Sequence, residues 1–132
     1  MLLLDTNALV WWMTEHPQLG RRISARLRAA RQGQLGVSVL TWFEMSNLHG
    51  RQGLRLRDHV PEIRRQLTRD GLVEFNLTAP ITLDAAGLAG LTADPFDRLI
   101  VATARESGAT LVTSDESILA WHGKLERMDA RK

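Results

Sequence analysis

Apolar residues follow two patterns along this chain: short unbroken runs, and longer stretches with an apolar residue every three or four positions. Leu2-Leu3-Leu4 has no polar alternation, as expected for a strand buried on both faces. Runs at 36–40, 72–77 and 110–113 predict three more strands, and 125–128 a short fifth. Helical spacing fills the gaps. The stretch 6–14 carries Leu9, Val10, Trp12 and Met13 and is broken by His16-Pro17. Over 19–31, Leu19, Ile23, Leu27 and Ala30 share one face, with Arg21, Arg22, Arg26 and Arg28 off it, until Gly33 stops the helix. Thr41 starts a helix with Trp42, Phe43, Met45 and Leu48, ahead of a break at 49–53. The stretch 56–70 is amphipathic through Leu56, Val60, Ile63 and Leu67. A helix over 81–91 is weakened by Gly87 and Gly90. Pro95 opens one that runs to Ser107 and ends at Gly108, and 117–121 predicts a helical turn. Strands alternating with helices predict one α/β domain over 1–132, around a mainly parallel sheet of four to five strands.

Composition narrows the function classes. At 44% hydrophobic and 24% charged, the 132 residues have the balance of a soluble globular domain with one core. No apolar run approaches the roughly 20 residues that span a bilayer, and Met1 leads directly into a core strand rather than a signal peptide. The chain has no cysteine, which excludes a disulfide framework and a thiolate zinc site and suits the cytoplasm. The net charge is only +2, but fifteen of the basic residues are Arg, with Lys only at 124 and 132. Arg favours bidentate contact with phosphate, which points toward nucleic acid; a GC-rich genome produces the same bias.

Four acidic residues each fall where a strand stops and a helix starts: Asp5, Glu44, Asp97 and Asp115. Each has a purely structural explanation. Asp5 and Asp115 suit helix caps, Thr41-Trp42-Phe43-Glu44 has the form of a capping box, and Asp94-Pro95-Phe96-Asp97 that of a cap, a first-turn proline and an acid on the helix dipole. The joint case differs. In a parallel sheet the carboxyl ends of the strands share one edge, so all four carboxylates would face one crevice. Neutral caps (Thr6, Asn7, Thr41, Thr113 and Ser114) are present beside them, so the acids are more than capping requires. Such a cluster calls for cations, and oxygen ligands without cysteine point to Mg²⁺ or Mn²⁺. Divalent ions on carboxylates suit phosphodiester hydrolysis. Asp5, Glu44, Asp97 and Asp115 are then the metal-binding and catalytic residues, with Thr6, Asn7, Thr113 and Ser114 supporting them by hydrogen bonds.

These segments resemble those of a PIN-domain ribonuclease of the VapC toxin type. The matching residues are Leu3-Leu4-Asp5-Thr6-Asn7-Ala8-Leu9, Ser38-Val39 followed by Glu44, Asp94-Pro95-Phe96-Asp97-Arg98-Leu99-Ile100-Val101-Ala102-Thr103-Ala104, and Leu111-Val112-Thr113-Ser114-Asp115. The resemblance spans essentially the whole chain. It implies a three-layer α/β/α sandwich, Mg²⁺-dependent endoribonuclease activity and an acidic quartet at Asp5, Glu44, Asp97 and Asp115. It also implies a homodimer and a cognate VapB-type antitoxin that inserts a segment into the active-site groove. The chain departs from common family features in having Leu91-Thr92-Ala93 before the Asp-Pro pair and Asn7 after Asp-Thr, where relatives often carry His.

Other residues bear on substrate contact. Trp42 is the nearest tryptophan to Glu44 and the candidate for base stacking, and Arg98 for either phosphate contact or pairing with an acid. Trp11, Trp12 and Trp121 suit the core or an interface, and His16, His49, His59 and His122 lack ligand spacing. Arg51, Arg55, Arg57, Arg64, Arg65 and Arg69 form either a solvated face or an RNA-tracking one. Apolar residues over 48–56 and in the first helices suit a dimer or antitoxin contact. Asp94 is expected to cap its helix without touching metal. Two competing functions remain. A phosphoryl-transfer enzyme with a nucleophilic aspartate after the first strand needs an acid at position 7 and a lysine, which Asn7 and the scarcity of Lys argue against. A catalytically silent module that binds RNA or a partner would have no need of the quartet.

Overall fold

The computed structural model describes residues 1–51 and 56–132. Its frame is a sheet of five parallel strands in the order β3-β2-β1-β4-β5, formed by β1 (Leu2–Leu4), β2 (Leu35–Ser38), β3 (Val73–Phe75), β4 (Thr110–Thr113) and β5 (Arg127–Asp129). The helices are α1 (Thr6–Met13), α2 (Arg21–Ala29), α3 (Leu40–Arg51), α4 (Val60–Arg69), α5 (Ala79–Ala86), α6 (Pro95–Ser107) and α7 (Glu116–Leu119). The β1 run divides its side chains as a pleat requires. Leu2 and Leu4 join one core with Leu9, Ile23, Leu27, Met45 and Ile63, from α1 to α4. Leu3 points the other way, into a core with Val101, Ala104, Leu111 and Ile118 from α6, β4 and α7. Helices therefore cover both faces, which makes the three-layer α/β/α arrangement.

Several predicted boundaries shift for local reasons. The second strand ends at Ser38 rather than at position 40, because the Ser38 hydroxyl accepts a hydrogen bond from the Leu40 N–H (3.2 Å) and starts α3 there. The helix expected over 81–91 starts at Ala79 and stops at Ala86 before Gly87. Its first turn is set by Thr78, whose hydroxyl accepts from the Ile81 N–H. The α6 bounds are those expected: Asp94 caps the start, and Gly108 ends it in the left-handed conformation (φ 68°). Part of the expected break at 49–53 is helical to Arg51; positions 52 and 53, like Arg55 and the side chain of Arg51, lie outside the described residues. No helix among the described residues is long and apolar enough to cross a membrane.

The strand order positions the site. Connections leave β1 toward β2 on one side, while β4 lies on the other, so the order reverses between β1 and β4. Crevices for ligands form at such a reversal, outside the carboxyl ends of the strands. Leu4 pairs in register with Val112, and the Asp5 N–H donates to the Val112 carbonyl at 3.1 Å. Asp5 and Thr113 are thereby fixed side by side at the open edge.

Candidate active site

Asp5, Glu44, Asp97 and Asp115, from four separate segments, line one open pocket of about 290 Å³. Thr6, Asn7 and Asn47 add polar atoms to its wall, and Leu48, Phe96 and Ile100 apolar ones. No Lys, Arg or His is among these lining residues.

Each acid is held differently. Asp5 caps α1, accepting from the Ala8 N–H at 2.8 Å, and also receives a hydrogen bond from the Thr113 hydroxyl. That hydroxyl accepts in turn from the Asp115 N–H at 3.0 Å, which ties the two strand ends together. Asp115 gathers the Ser117 N–H (2.9 Å), the Ser117 hydroxyl (2.6 Å) and the Ile118 N–H (3.1 Å) on its Oδ1, with no hydrogen bond to Oδ2 among the described residues. Glu44 does not close a capping box. Thr41 lies inside α3 and fully buried, and the Glu44 Oε1 accepts from the Thr6 hydroxyl at 2.7 Å. Thr41 Oγ1 sits 3.3 Å from that same hydroxyl; the single proton of Thr6 goes to the carboxylate, so Thr41 is the donor to Thr6. Asp97, in the first turn of α6, receives no hydrogen bond among the described residues.

The electrostatics follow from this crowding. Burial, opposed by the Thr113 and Ala8 donors and reinforced by the Glu44 and Asp115 charges, raises the Asp5 pKa to about 6. Burial and then the charges of Asp94, Asp115, Glu44 and Asp5 raise Asp97 to about 7. Glu44 is raised by burial, against the Thr6 donor and with help from Asp94. Asp94 is an exposed cap, accepting from the Phe96 N–H (2.8 Å) and Asp97 N–H (3.4 Å), as expected, yet its charge reaches the pocket. Among the described residues no three acidic or histidine side chains form a finished metal cage. The donor set nonetheless fits a hard divalent cation: clustered carboxylate oxygens with raised affinity for positive charge and no basic neighbour lining the pocket.

Comparison with known proteins adds an independent line. The PIN domain family profile matches residues 2–121. Ribonuclease VapC22 of Mycobacterium tuberculosis is 31% identical over 118 residues, covering 89% of this chain and 88% of the relative. The chain belongs to the PIN-domain family. Solved structures share the fold. The VapBC-1 structure from nontypeable Haemophilus influenzae has a TM-score of 0.72 at 22% identity, covering 99% of this chain and 98% of that one. A toxin–antitoxin complex from Klebsiella pneumoniae has a TM-score of 0.67 at 20% identity, covering 98% of each chain.

Two residues expected at the substrate are engaged elsewhere in this PIN domain. Arg98 donates to four main-chain carbonyls: Ala85 (2.9 Å), Ala86 (3.3 Å), Leu91 (3.3 Å) and Thr92 (3.1 Å). It thereby caps the carboxyl end of α5 and pins the segment leading into α6, beside Asp97. Trp42 packs against the α1–α4 core and gives its indole N–H to Glu74, which also takes a bidentate pair from Arg64 (2.6 and 2.8 Å). The aromatic ring facing solvent beside the pocket is Phe43. Ser114 is not among the pocket-lining residues, and Ser117 supports Asp115 in its place. Asn47, one helical turn from Glu44, is a polar pocket residue that the sequence reading missed; its spacing on α3 was the available signal.

Trp121 is buried and donates to the Ala89 carbonyl at 2.9 Å, a core role. Arg64 and Arg65, both largely exposed, pair with Glu74 and Glu62. His16 stacks on Trp11, and His49 meets His59 edge to face at 6.4 Å between ring centroids.

Proposed function

We propose that this PIN domain is a divalent-metal-dependent endoribonuclease, with Mg²⁺ or Mn²⁺ held by Asp5, Glu44, Asp97 and Asp115. The observation that carries this is the convergence of these four carboxylates on one pocket with no Lys, Arg or His among its described lining residues. The name of the 31% identical relative, Ribonuclease VapC22, supports RNA as the substrate. When bound, the ion supplies charge neutralisation at the scissile phosphate and acidification of water. The chain's own contribution is positioning. Thr113 and the Ala8 N–H fix the Asp5 carboxylate, Thr6 orients Glu44, and Ser117 and Ile118 turn Asp115. Ile100 and Leu48 supply the apolar part of the wall beside the acids.

We further infer that residues 1–132 act as one domain, the toxin of a toxin–antitoxin pair. The support is the set of structural neighbours described as VapBC or toxin–antitoxin complexes, including a Rickettsia felis VapBC2 bound to a promoter DNA fragment. The partners are then an RNA substrate, a VapB-type antitoxin and a second copy of the chain, with action in the cytoplasm. The test is cleavage of RNA in Mg²⁺ by wild-type protein and Asp5→Asn. Loss of cleavage in a variant that still folds supports the assignment. Equal cleavage by both overturns it, and RNA binding without turnover by the wild type favours a silent module.

A further inference from the structure

An aromatic pair, Phe43 and Phe96, stands beside the acidic pocket. Phe43 is 56% exposed, the one aromatic ring among the exposed large hydrophobic residues described; the others are Met1, Leu77 and Leu83. Its ring lies nearly parallel to that of Phe96 (interplanar angle 19°, centroids 5.6 Å apart). Phe96 itself lines the acidic pocket and immediately precedes Asp97. On α3, Phe43 and Asn47 are one turn apart, next to the Glu44 and Leu48 pair that also faces the pocket. A stacked aromatic step therefore leads outward from the carboxylates to solvent.

An isolated exposed Phe is ordinary on a protein surface. One stacked on the rim of a phosphodiesterase pocket has a specific use. In RNA, each base is one sugar away from its phosphate. With the scissile phosphate at the carboxylates, the adjacent base must lie beside the pocket, where an apolar, flat surface is what it lacks once unstacked from its neighbours. The described pocket lining offers the strand no Lys, Arg or His, so contacts that carry no charge add to its affinity. We propose that Phe43, backed by Phe96, is a stacking platform for the nucleobase flanking the cleaved bond. This rests on the nuclease reading above.

The experiment compares wild type, Phe43→Ala, Phe43→Leu and Phe43→Trp on a short single-stranded RNA that wild type cuts, and on the same RNA with an abasic site beside the cut. Steady-state kinetics should show KM rising roughly ten-fold in Phe43→Ala with kcat little changed, the size expected for one lost base–aromatic stack. Phe43→Trp should restore it, and Phe43→Leu should not. The abasic RNA should cost wild type a similar factor and cost Phe43→Ala nothing further, because both changes remove the same contact. An unchanged KM in Phe43→Ala, a Leu variant as good as Trp, or full additivity with the abasic site each overturns the platform. So does a fall in solution mass for Phe43→Ala with normal RNA kinetics, which would make the pair a contact between copies of the chain. Should wild type bind RNA without cutting it, the nuclease reading falls, and the same comparison read as Kd by fluorescence anisotropy still decides the stacking role.

Discussion

Removing one charge from the acidic pocket should stabilise the metal-free protein. Asp97 is the best position, because its pKa is raised to about 7, four neighbouring carboxylates repel its charge, and it has no hydrogen bond to lose. Its pKa rises from 3.8 to about 7, so the native state holds a proton through a pH range where the unfolded chain has released it. Stability must then fall as pH climbs from about 4 to 7 and stay low above that. At about 1.4 kcal/mol per tenfold change, the rise caps the penalty at about 4 kcal/mol. Asp97 is only partly buried, and solvent screening reduces this to about 1–2 kcal/mol. One opposing effect is the interaction of its charge with the α6 amino terminus, worth about 0.3–1 kcal/mol. The net gain for Asp97→Asn is about 1 kcal/mol, or about 3–5 °C in Tm for a domain of this size. The assay is thermal and urea denaturation in EDTA at pH 5 and pH 8. Asp97→Asn should exceed wild type clearly at pH 8 and much less at pH 5. A variant equal to or less stable than wild type at pH 8, or a wild type whose stability does not fall over that range, refutes the electrostatic reasoning.

Two further outcomes follow from the same geometry. Thr6→Val keeps the shape of a buried side chain but removes the 2.7 Å donor to Glu44, so the Glu44 pKa should rise further and cleavage should fall by about ten-fold, measured as kcat/KM against pH. Arg98→Lys cannot span four carbonyls with a single ammonium; it should lower stability by about 1–3 kcal/mol in urea titrations, while the salt dependence of RNA binding stays that of wild type.

Much of the architecture was legible because local signals and global fold agree. The unbroken Leu2-Leu3-Leu4 run could only be a doubly covered strand, and Asp94-Pro95 and Gly108 bracket α6 by backbone chemistry alone. The four acids were legible as a group because a parallel sheet gathers its strand ends at one edge. What failed depended on direction around a helix. Trp42 was favoured for its nearness in sequence to Glu44, but two residues on an α-helix are about 200° apart, on opposite faces. Trp42 thus packs, partly buried, against the core, while Phe43, about 100° away from Glu44, stacks on the pocket-lining Phe96. The capping-box pattern misled for a related reason. Ser38 had already started the helix, which left Thr41 buried and Glu44 available to Thr6. The four carbonyls that occupy Arg98 come from loop and helix ends whose approach no linear pattern encodes.

The central claim is that the four carboxylates form a binding site for a divalent cation. Isothermal titration calorimetry of the metal-free protein with Mg²⁺ and Mn²⁺ at pH 7.5 tests it directly, alongside Asp5→Asn and Asp97→Asn. Wild type should show saturable binding with proton release, and both variants should bind at least about ten-fold more weakly. Wild-type protein that takes up neither ion, or an Asp5→Asn variant that binds as well as wild type, would contradict the account.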